Sequence, residues 1–210
     1  MNKKTKILSL NDPGVFDQAA AVIQTGGVIA FPTDTVYGLG VSAFNGKAIE
    51  KIYDVKGRSH LKAIPVLHGD VEDLDQISSP LTPAVKRIIS KFWPGALTLV
   101  LPALSSLPDN LSPNPTIGVR IPDLDQVRNI LRTTGPLAAT SANLSGEPSA
   151  LSADEVLLQL DGRIDLILDG GSVPGGQAST VLDCSGDKHN VLRPGPISLQ
   201  SILRVLDERD

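Results

Sequence analysis

Residues 28–41 read VIAFPTDTVYGLGV, and this stretch decides the fold class. The apolar run 28–31 predicts a buried strand, and the run 37–41 predicts another strand directly after it. Only the polar turn PTDTV separates the two runs, and this turn is too short to hold a helix. Strict alternation of strand and helix therefore fails, and we expect an α/β (α+β) fold in which helices flank a mixed sheet.

The segments on either side of this stretch alternate between helix and strand. A first helix is predicted at 13–24, with Asp12 as its N-cap. The residues suited to cap later helices are Asn45, Thr82, Ser152 and Ser198. The predicted later helices are 47–55, 82–92, 127–132, 152–160 and 198–208. The predicted later strands are 63–67, 97–101, 117–121, 137–140, 166–168 and 180–183.

The composition indicates a globular chain with a sizeable core, because 41% of its 210 residues are hydrophobic. The lone cysteine, Cys184, excludes an internal disulfide framework, as is typical of a reducing compartment. No apolar run approaches the ~20 residues of a membrane span, and the N-terminus lacks the apolar core of a signal peptide. We therefore expect residues 1–210 to form a single cytoplasmic domain that does not bind membranes.

The charge and the motifs narrow the ligand class. A net charge of −4 disfavours long nucleic acids, since neutralising phosphates needs a basic surplus, but it leaves small anions open. Neither the P-loop pattern nor the GxGxxG dinucleotide pattern occurs. One cysteine and three scattered histidines lack zinc-ligand spacing, so no metal site built from protein ligands is predicted.

Two clusters of hydroxyl residues follow predicted strands. They are PTDTVYG at 32–38 and TSANLSG at 140–146. Both could orient a small polar ligand, although Thr and Asp in such a turn also bond their own backbone. Ser141 lacks the flanking glycines of a nucleophile elbow, and we do not expect it to be a covalent nucleophile.

Cations form a second pattern. Lys56, Arg58 and Lys62 converge on the short connection after a predicted helix, where they suit either phosphate binding or capping of the helix C-terminus. Arg120 interrupts a run of strand-forming residues, which favours pairing with an anion or a buried acid. An exposed side chain on an edge strand is the other interpretation. With Arg193, these residues suit a triphosphate and a carboxylate better than an apolar ligand.

Seven motifs occur in a recognisable order. They are PTDTVYGL (32–39), KGR (56–58), FWPG (92–95), GVRIP (118–122), TSANLSG (140–146), STVLD (179–183) and RPG (193–195). Together they resemble the YrdC-like domain of the threonylcarbamoyl-adenylate synthase family over about residues 18–206. The chain departs from the usual family pattern at Asp34, where many members have Glu, and at Ala96, where Pro is common.

The resemblance implies a twisted mixed sheet around a large basic cavity. It also implies an enzyme that condenses L-threonine, bicarbonate or CO2, and ATP into threonylcarbamoyl-AMP and pyrophosphate. The product would pass to a complex that modifies tRNA next to the anticodon, whereas binding of tRNA by the chain itself is a weaker expectation. Mg²⁺ would be held mainly by the nucleotide and water.

The resemblance assigns roles residue by residue. The implied catalytic tetrad is Lys56, Arg58, Ser141 and Asn143. The implied ATP-binding residues are Lys56, Arg58, Lys62, Thr116, Ser141, Asn143 and Arg193. The implied threonine-binding residues are Thr35, His68, Arg120, Thr140 and Ser179.

Two other functions stay open at this point. One is a carbamoyl-transfer domain that acts on carbamoyl phosphate, of the kind used in hydrogenase maturation. Such domains sit in long chains with many cysteines, whereas this chain has one. The other is a non-enzymatic module that binds structured RNA, which the negative net charge and the aromatic content of 3% disfavour.

Overall fold

The structure, a computed structural model, describes residues 4–174, 177–186 and 188–207. Within these ranges the strands are β1 (Lys6–Ser9), β2 (Ile29–Phe31), β3 (Gly38–Ser42), β4 (Val66–Leu67), β5 (Leu97–Pro102), β6 (Thr116–Arg120), β7 (Leu137–Ser141), β8 (Leu166–Asp169), β9 (Thr180–Asp183) and β10 (Asn190–Arg193). They form one sheet in the order β1-β8-β2-β3-β7-β4-β6-β5-β9-β10.

Helices and short 3₁₀ turns connect the strands. The α-helices are α1 (Val15–Gln24), α2 (Gly46–Lys56), α3 (Pro83–Phe92), α4 (Asp125–Thr134), α5 (Ala153–Leu160) and α6 (Leu199–Asp207). The 3₁₀ helices are Val71–Gln76 and Asp109–Leu111. In the described ranges, every helix is too short or too polar to cross a membrane.

The sheet is mixed, as residues 28–41 predict. β2 pairs antiparallel with β3 across the turn PTDTV and parallel with β8 on its other side. Both faces of the sheet are buried. This follows from the alternation of side chains along a strand, because neighbouring residues of one strand belong to different hydrophobic clusters. Ala30 joins the larger cluster, whereas Ile29 and Phe31 join the smaller one that includes residues of α1 and α4.

Helix capping confirms most of the predicted helix starts. The side chains of Asn45, Thr82 and Ser152 accept backbone N–H groups at 3.1, 3.3 and 3.2 Å, respectively. The Ser198 hydroxyl likewise accepts the N–H of Ser201 at 3.1 Å. These bonds satisfy donors that the first turn of a helix leaves unpaired. The predicted end of the last helix at Glu208 lies outside the described residues.

The prediction that Asp12 caps the first helix is wrong. The residue at the N-cap is Gly14, with a φ of 69°, and the helix begins at Val15. The Asp12 carboxylate instead accepts the backbone N–H of Ser9 at 3.0 Å, within the turn that follows β1. Asp12 therefore stabilises the chain reversal ahead of the helix.

Two strands and the two 3₁₀ helices were not predicted. β1 pairs with β8, and β10 pairs with β9 and is largely exposed. Both lie at the ends of the sheet order, and a strand with one partner and an exposed face carries little apolar pattern. β4 is also shorter than the predicted strand 63–67, because only Val66 and Leu67 pair with β6 and β7.

Candidate functional site

The sheet register brings the two hydroxyl clusters together. β3 runs antiparallel to β7, with Gly38 opposite Ser141. The turn 32–37 leads into β3, and the N–H of Ala142 donates to the carbonyl of Tyr37 at 2.8 Å. The turn and the segment 140–146 are therefore neighbours in space.

Lys56 fastens the end of α2 to the segment 140–146. Its ammonium donates to the carbonyl oxygens of Ser141 and Asn143, and to the side-chain oxygen of Asn143 at 3.5 Å. In return, the Lys56 carbonyl accepts the N–H of Ser145 at 2.9 Å. Lys56 is 4% exposed, and burial, with a smaller contribution from the Arg58 charge, lowers its pKa to about 8. Each of the three N–H groups of the ammonium thus has an acceptor.

Asn143 and Ser141 differ in their freedom to meet a ligand. Asn143 is buried, and its amide nitrogen donates to the carbonyls of Leu144 and Glu147, both at 2.8 Å. The hydrogen bonds of its side-chain amide nitrogen therefore lie within its own loop. Ser141 is half-buried, and its hydroxyl has no hydrogen-bond partner within the described ranges. Of this pair, Ser141 has the hydroxyl available to a ligand.

Arg58 lies on the connection between α2 and β4. Its guanidinium donates to the carbonyls of Ala63 at 2.9 Å and Lys62 at 3.4 Å. Burial lowers the pKa of Arg58. Because both hydrogen-bond partners are neutral carbonyls, the positive charge of the guanidinium is not neutralised and stays available for an anion. The Lys62 side chain is exposed on the same connection.

Arg120 ends an interior strand, so the edge-strand interpretation is wrong. β6 has β4 on one side and β5 on the other. Arg120 is 6% exposed and donates to the carbonyl of Gly95 at 2.8 Å, to Thr35 Oγ1 at 3.1 Å, and to Asp34 in an ion pair. Asp34, whose side chain is 14% exposed, is therefore the acid that pairs with this buried arginine, and this carboxylate was not predicted as its partner.

The strands that carry these residues run in opposite directions. β4 is parallel to β6 and antiparallel to β7, so β6 and β7 run in opposite directions, and Arg120 and Ser141 are their last residues. The turn 32–37 nevertheless contacts Arg120 through Thr35, and the segment 140–146 through the bond between Tyr37 and Ala142. The site therefore includes residues from the ends of strands that run in opposite directions, and it does not lie at one end of the strands alone.

His68 directly follows β4, and its backbone lies beside that of Arg120. Its backbone N–H donates to the carbonyl of Arg120 at 3.0 Å. The side chain is 1% exposed, and its Nε2 has no partner within the described ranges. Burial lowers the pKa of His68 to about 4, so the ring is neutral at pH 7.

The buried state of His68 predicts destabilisation in acid. The pKa is about 4 in the fold and about 6.5 in the unfolded chain, so the unfolded chain binds more protons between these values. The free energy of unfolding should therefore fall by about 1–3 kcal/mol between pH 6.5 and pH 4. Urea unfolding of wild type and His68→Asn measures the difference, with the exposed His60→Asn as control. Equal pH slopes in wild type and His68→Asn would contradict the prediction.

Ser179 and Arg193 form a unit with a residue that the sequence did not single out. Arg193 donates to the Ser179 carbonyl at 3.1 and 2.9 Å and to the Ser179 hydroxyl at 3.2 Å. The buried Thr98 hydroxyl lies 2.8 Å from the same hydroxyl. Thr98 is one threonine within an apolar strand, so only its register with β9 reveals its position beside Ser179.

Thr140 and Thr116 are the two remaining predicted site residues. Both lie in strands, and within the described ranges neither makes a side-chain hydrogen bond to another predicted site residue. Thr140 is half-buried in β7, opposite Leu39. Thr116 is half-buried at the start of β6, opposite Pro102 and at the other end of the strand from Arg120.

The cations influence one another. The protein around the Arg193 guanidinium displaces water and lowers its pKa, and the positive charges of Arg120 and Arg58 lower it further. The Arg58 charge acts on Lys56 in the same direction. Four cations from three separate parts of the sequence therefore share one region, and Lys56 joins that region to the segment 140–146. Lys56, Arg58 and Arg193 donate to neutral carbonyl oxygens, whereas Arg120 is paired with Asp34. The group keeps a surplus of positive charge, which favours a polyanionic ligand.

Known proteins are similar to this chain in sequence and in fold. The Sua5/YciO/YrdC family model, described as "Telomere recombination", matches residues 21–195. A threonylcarbamoyl-AMP synthase of Bacillus subtilis is 45% identical over 96% of this chain and 59% of its own length. A putative threonylcarbamoyl-AMP synthase of Methanocaldococcus jannaschii is 32% identical over 97% of this chain and 98% of its own.

A solved structure gives the same result. The Pyrococcus abyssi Sua5 structure complexed with L-threonine superimposes with a TM-score of 0.92 at 34% identity, over 97% of this chain and 62% of that one. The chain thus spans about three fifths of some relatives and nearly all of another. The family resemblance that the seven motifs predict is confirmed, and the chain belongs to the Sua5/YciO/YrdC family.

Proposed function

We propose that the chain condenses L-threonine, bicarbonate and ATP into threonylcarbamoyl-AMP and pyrophosphate. The observation that carries the proposal is that Lys56 and Arg120 donate hydrogen bonds into the two hydroxyl clusters, with the charges of Arg58 and Arg193 near them. It is supported by the relatives named threonylcarbamoyl-AMP synthase and by the P. abyssi complex with L-threonine. Carbamate formation and attack on the α-phosphorus require no protein nucleophile, so positioning and charge neutralisation suffice.

The contacts suggest a division of labour within the tetrad. Arg58 and Ser141 contact the nucleotide, because their charge and hydroxyl are free. Lys56 and Asn143 shape the segment 140–146, because their donors are occupied by carbonyls. The other residues proposed for ATP are Lys62, Thr116 and Arg193.

Arg120 is proposed to pair with the threonine carboxylate. Two of the five N–H groups of its guanidinium remain after the bonds to Gly95, Thr35 and Asp34. The other residues proposed for threonine are Thr35, His68, Thr140 and Ser179.

Mg²⁺ fits the site as a companion of the nucleotide. In the described ranges no group of three or more His, Cys, Asp or Glu side chains could hold a metal. Phosphate oxygens and water would supply its ligands, and its charge would help to neutralise the triphosphate. We further propose that the reaction takes place in the cytoplasm and that a tRNA-modifying complex consumes the product.

Pyrophosphate release tests the proposed function. With ATP present and L-threonine and bicarbonate each omitted in turn, we expect release only in the complete mixture. Carbamoyl phosphate in place of both substrates should give none. Release without threonine, or binding of structured RNA with steep salt dependence and no ATP turnover, would refute the proposal.

A further inference from the structure

Helix α5 holds the loop that continues from the segment 140–146. Gln159 of this helix is half-buried, and its side-chain amide contacts the loop at two points. Its Oε1 accepts the backbone N–H of Leu144 at 3.0 Å, and its Nε2 donates to the carbonyl of Pro148 at 3.2 Å. One side chain therefore joins two backbone groups that lie four residues apart.

These two contacts need a side chain with one acceptor and one donor. Leu144 presents an N–H and Pro148 presents a carbonyl, so the partners themselves fix which end of the Gln159 amide carries the oxygen. An ionised glutamate has the same length but can only accept. A methionine has a similar length but cannot donate, and its sulfur is a weak acceptor.

The same loop is held from its other side by α2. Lys56 donates to the carbonyls of Ser141 and Asn143. Between the two anchors, the amide nitrogen of Asn143 donates to the carbonyls of Leu144 and Glu147. The residues 140–148 thus form one hydrogen-bonded unit that is fastened to α2 at one end and to α5 at the other.

Tyr37 of the turn 32–37 fixes the two points between which this unit lies. Its carbonyl accepts the N–H of Ala142 at 2.8 Å, and its N–H donates to the carbonyl of Ala150 at 2.9 Å. The loop between these points can therefore shift when Gln159 is replaced, while the turn stays in place.

We infer that Gln159 is a positioning residue for the nucleotide side of the site, and that it acts by holding the loop after Ser141 against α5. The inference rests on the proposed function, which places ATP on Ser141. It adds a residue that lies outside all seven sequence motifs. The threonine side depends on the turn 32–37 and on Arg120, and Gln159 bonds to neither within the described ranges.

Gln159→Met tests this role, because it keeps the length of the side chain and removes both contacts. The KM for ATP in pyrophosphate release should rise about 10-fold, as expected for two lost hydrogen bonds, and the KM for threonine should change less than about threefold. Partial unfolding would instead lower kcat and leave both KM values unchanged. The matched control is Gln200→Met, an exposed position on α6, which should behave as wild type.

Gln159→Glu separates the two contacts. At neutral pH its carboxylate still accepts the N–H of Leu144 but cannot donate to the carbonyl of Pro148. The Leu144 amide, followed by NMR, should therefore exchange with solvent at about the wild-type rate in Gln159→Glu and about 10-fold faster in Gln159→Met. The KM for ATP should rise in both variants, because both lose the bond to Pro148.

Three results would overturn the role of Gln159. They are a wild-type KM for ATP in Gln159→Met, equal rises in the KM of ATP and threonine, and a Leu144 amide that exchanges as slowly in Gln159→Met as in wild type. In each case, pyrophosphate release by wild type that requires threonine and bicarbonate would leave the proposed function intact. A wild type that releases no pyrophosphate would overturn both.

Discussion

Replacing Lys56 with Met should lower the rate of pyrophosphate release about 100-fold and destabilise the fold by about 1–3 kcal/mol. The methionine fills the space but leaves the carbonyls of Ser141 and Asn143 buried without a donor. The segment 140–146 should then move away from α2, and a displacement of about 1 Å is enough for such a loss of rate.

Lys47→Met is the matched control for this variant. Lys47 lies on the same helix and is exposed, so its replacement should change stability by less than about 0.5 kcal/mol. Hydrogen exchange then separates positioning from direct contact. The amides of 140–146 should exchange faster in Lys56→Met than in wild type, and unchanged exchange with the same loss of rate would place Lys56 on the nucleotide instead.

The pKa of Lys56 predicts opposite pH trends for stability and rate. Its pKa is about 8 in the fold and 10.5 ordinarily, so the unfolded chain binds more protons between these values. The free energy of unfolding should therefore rise with pH across this window, relative to Lys56→Met. The neutral amine has only two N–H groups for three acceptors, so the rate should fall above pH 8. A rate that is flat from pH 7 to pH 10 would contradict this.

Local pattern predicted those parts of the fold that depend on neighbouring residues. The caps at Asn45, Thr82 and Ser152 follow from side chains that reach a backbone N–H three residues later. The mixed sheet follows from the turn PTDTV, which is too short for a crossover helix. β1 and β10 were not predicted, because pairing with a neighbouring strand holds each of them in the sheet and their own residues carry little apolar pattern.

The candidate site was predicted as a set of residues but not as a set of contacts. The Asp34–Arg120 pair joins residues 86 positions apart, and the Thr98–Ser179 contact joins residues 81 apart. A motif indicates what a side chain can bind, whereas the tertiary fold decides which partner it meets. For the same reason the sequence grouped Lys56 with Arg58, although Lys56 has its donors occupied and Arg58 keeps its charge free.

Gly195 shows how packing alone can require a glycine at a position beside the site. Its φ is not in the left-handed region, so the backbone would accept another residue, but the space would not. A Cβ at this position would lie 2.7 Å from the carbonyl oxygen of Ala178 and 2.7 Å from the carbonyl carbon of Ser179, and would also overlap the N–H of Thr180. These are backbone atoms of the segment that enters β9, and they cannot rotate away as a side chain would.

Gly195→Ala should therefore push the segment 193–195 away from β9. Arg193 would lose its bonds to Ser179, which are 2.9–3.2 Å long, and the site would lose one of its cations. We expect a destabilisation of about 1–3 kcal/mol, typical of an overpacked position, and a fall in the pyrophosphate release rate of about 100-fold. Urea unfolding and the pyrophosphate assay measure the two effects.

Gly186→Ala is the control for Gly195→Ala, because nothing lies within 4 Å of a Cβ at position 186 and its φ is not left-handed. It should match wild type in both assays. If both alanine variants are equally stable and equally active, the backbone of 178–180 yields easily. Contact between Gly195 and β9 would then not be what places Arg193 beside Ser179.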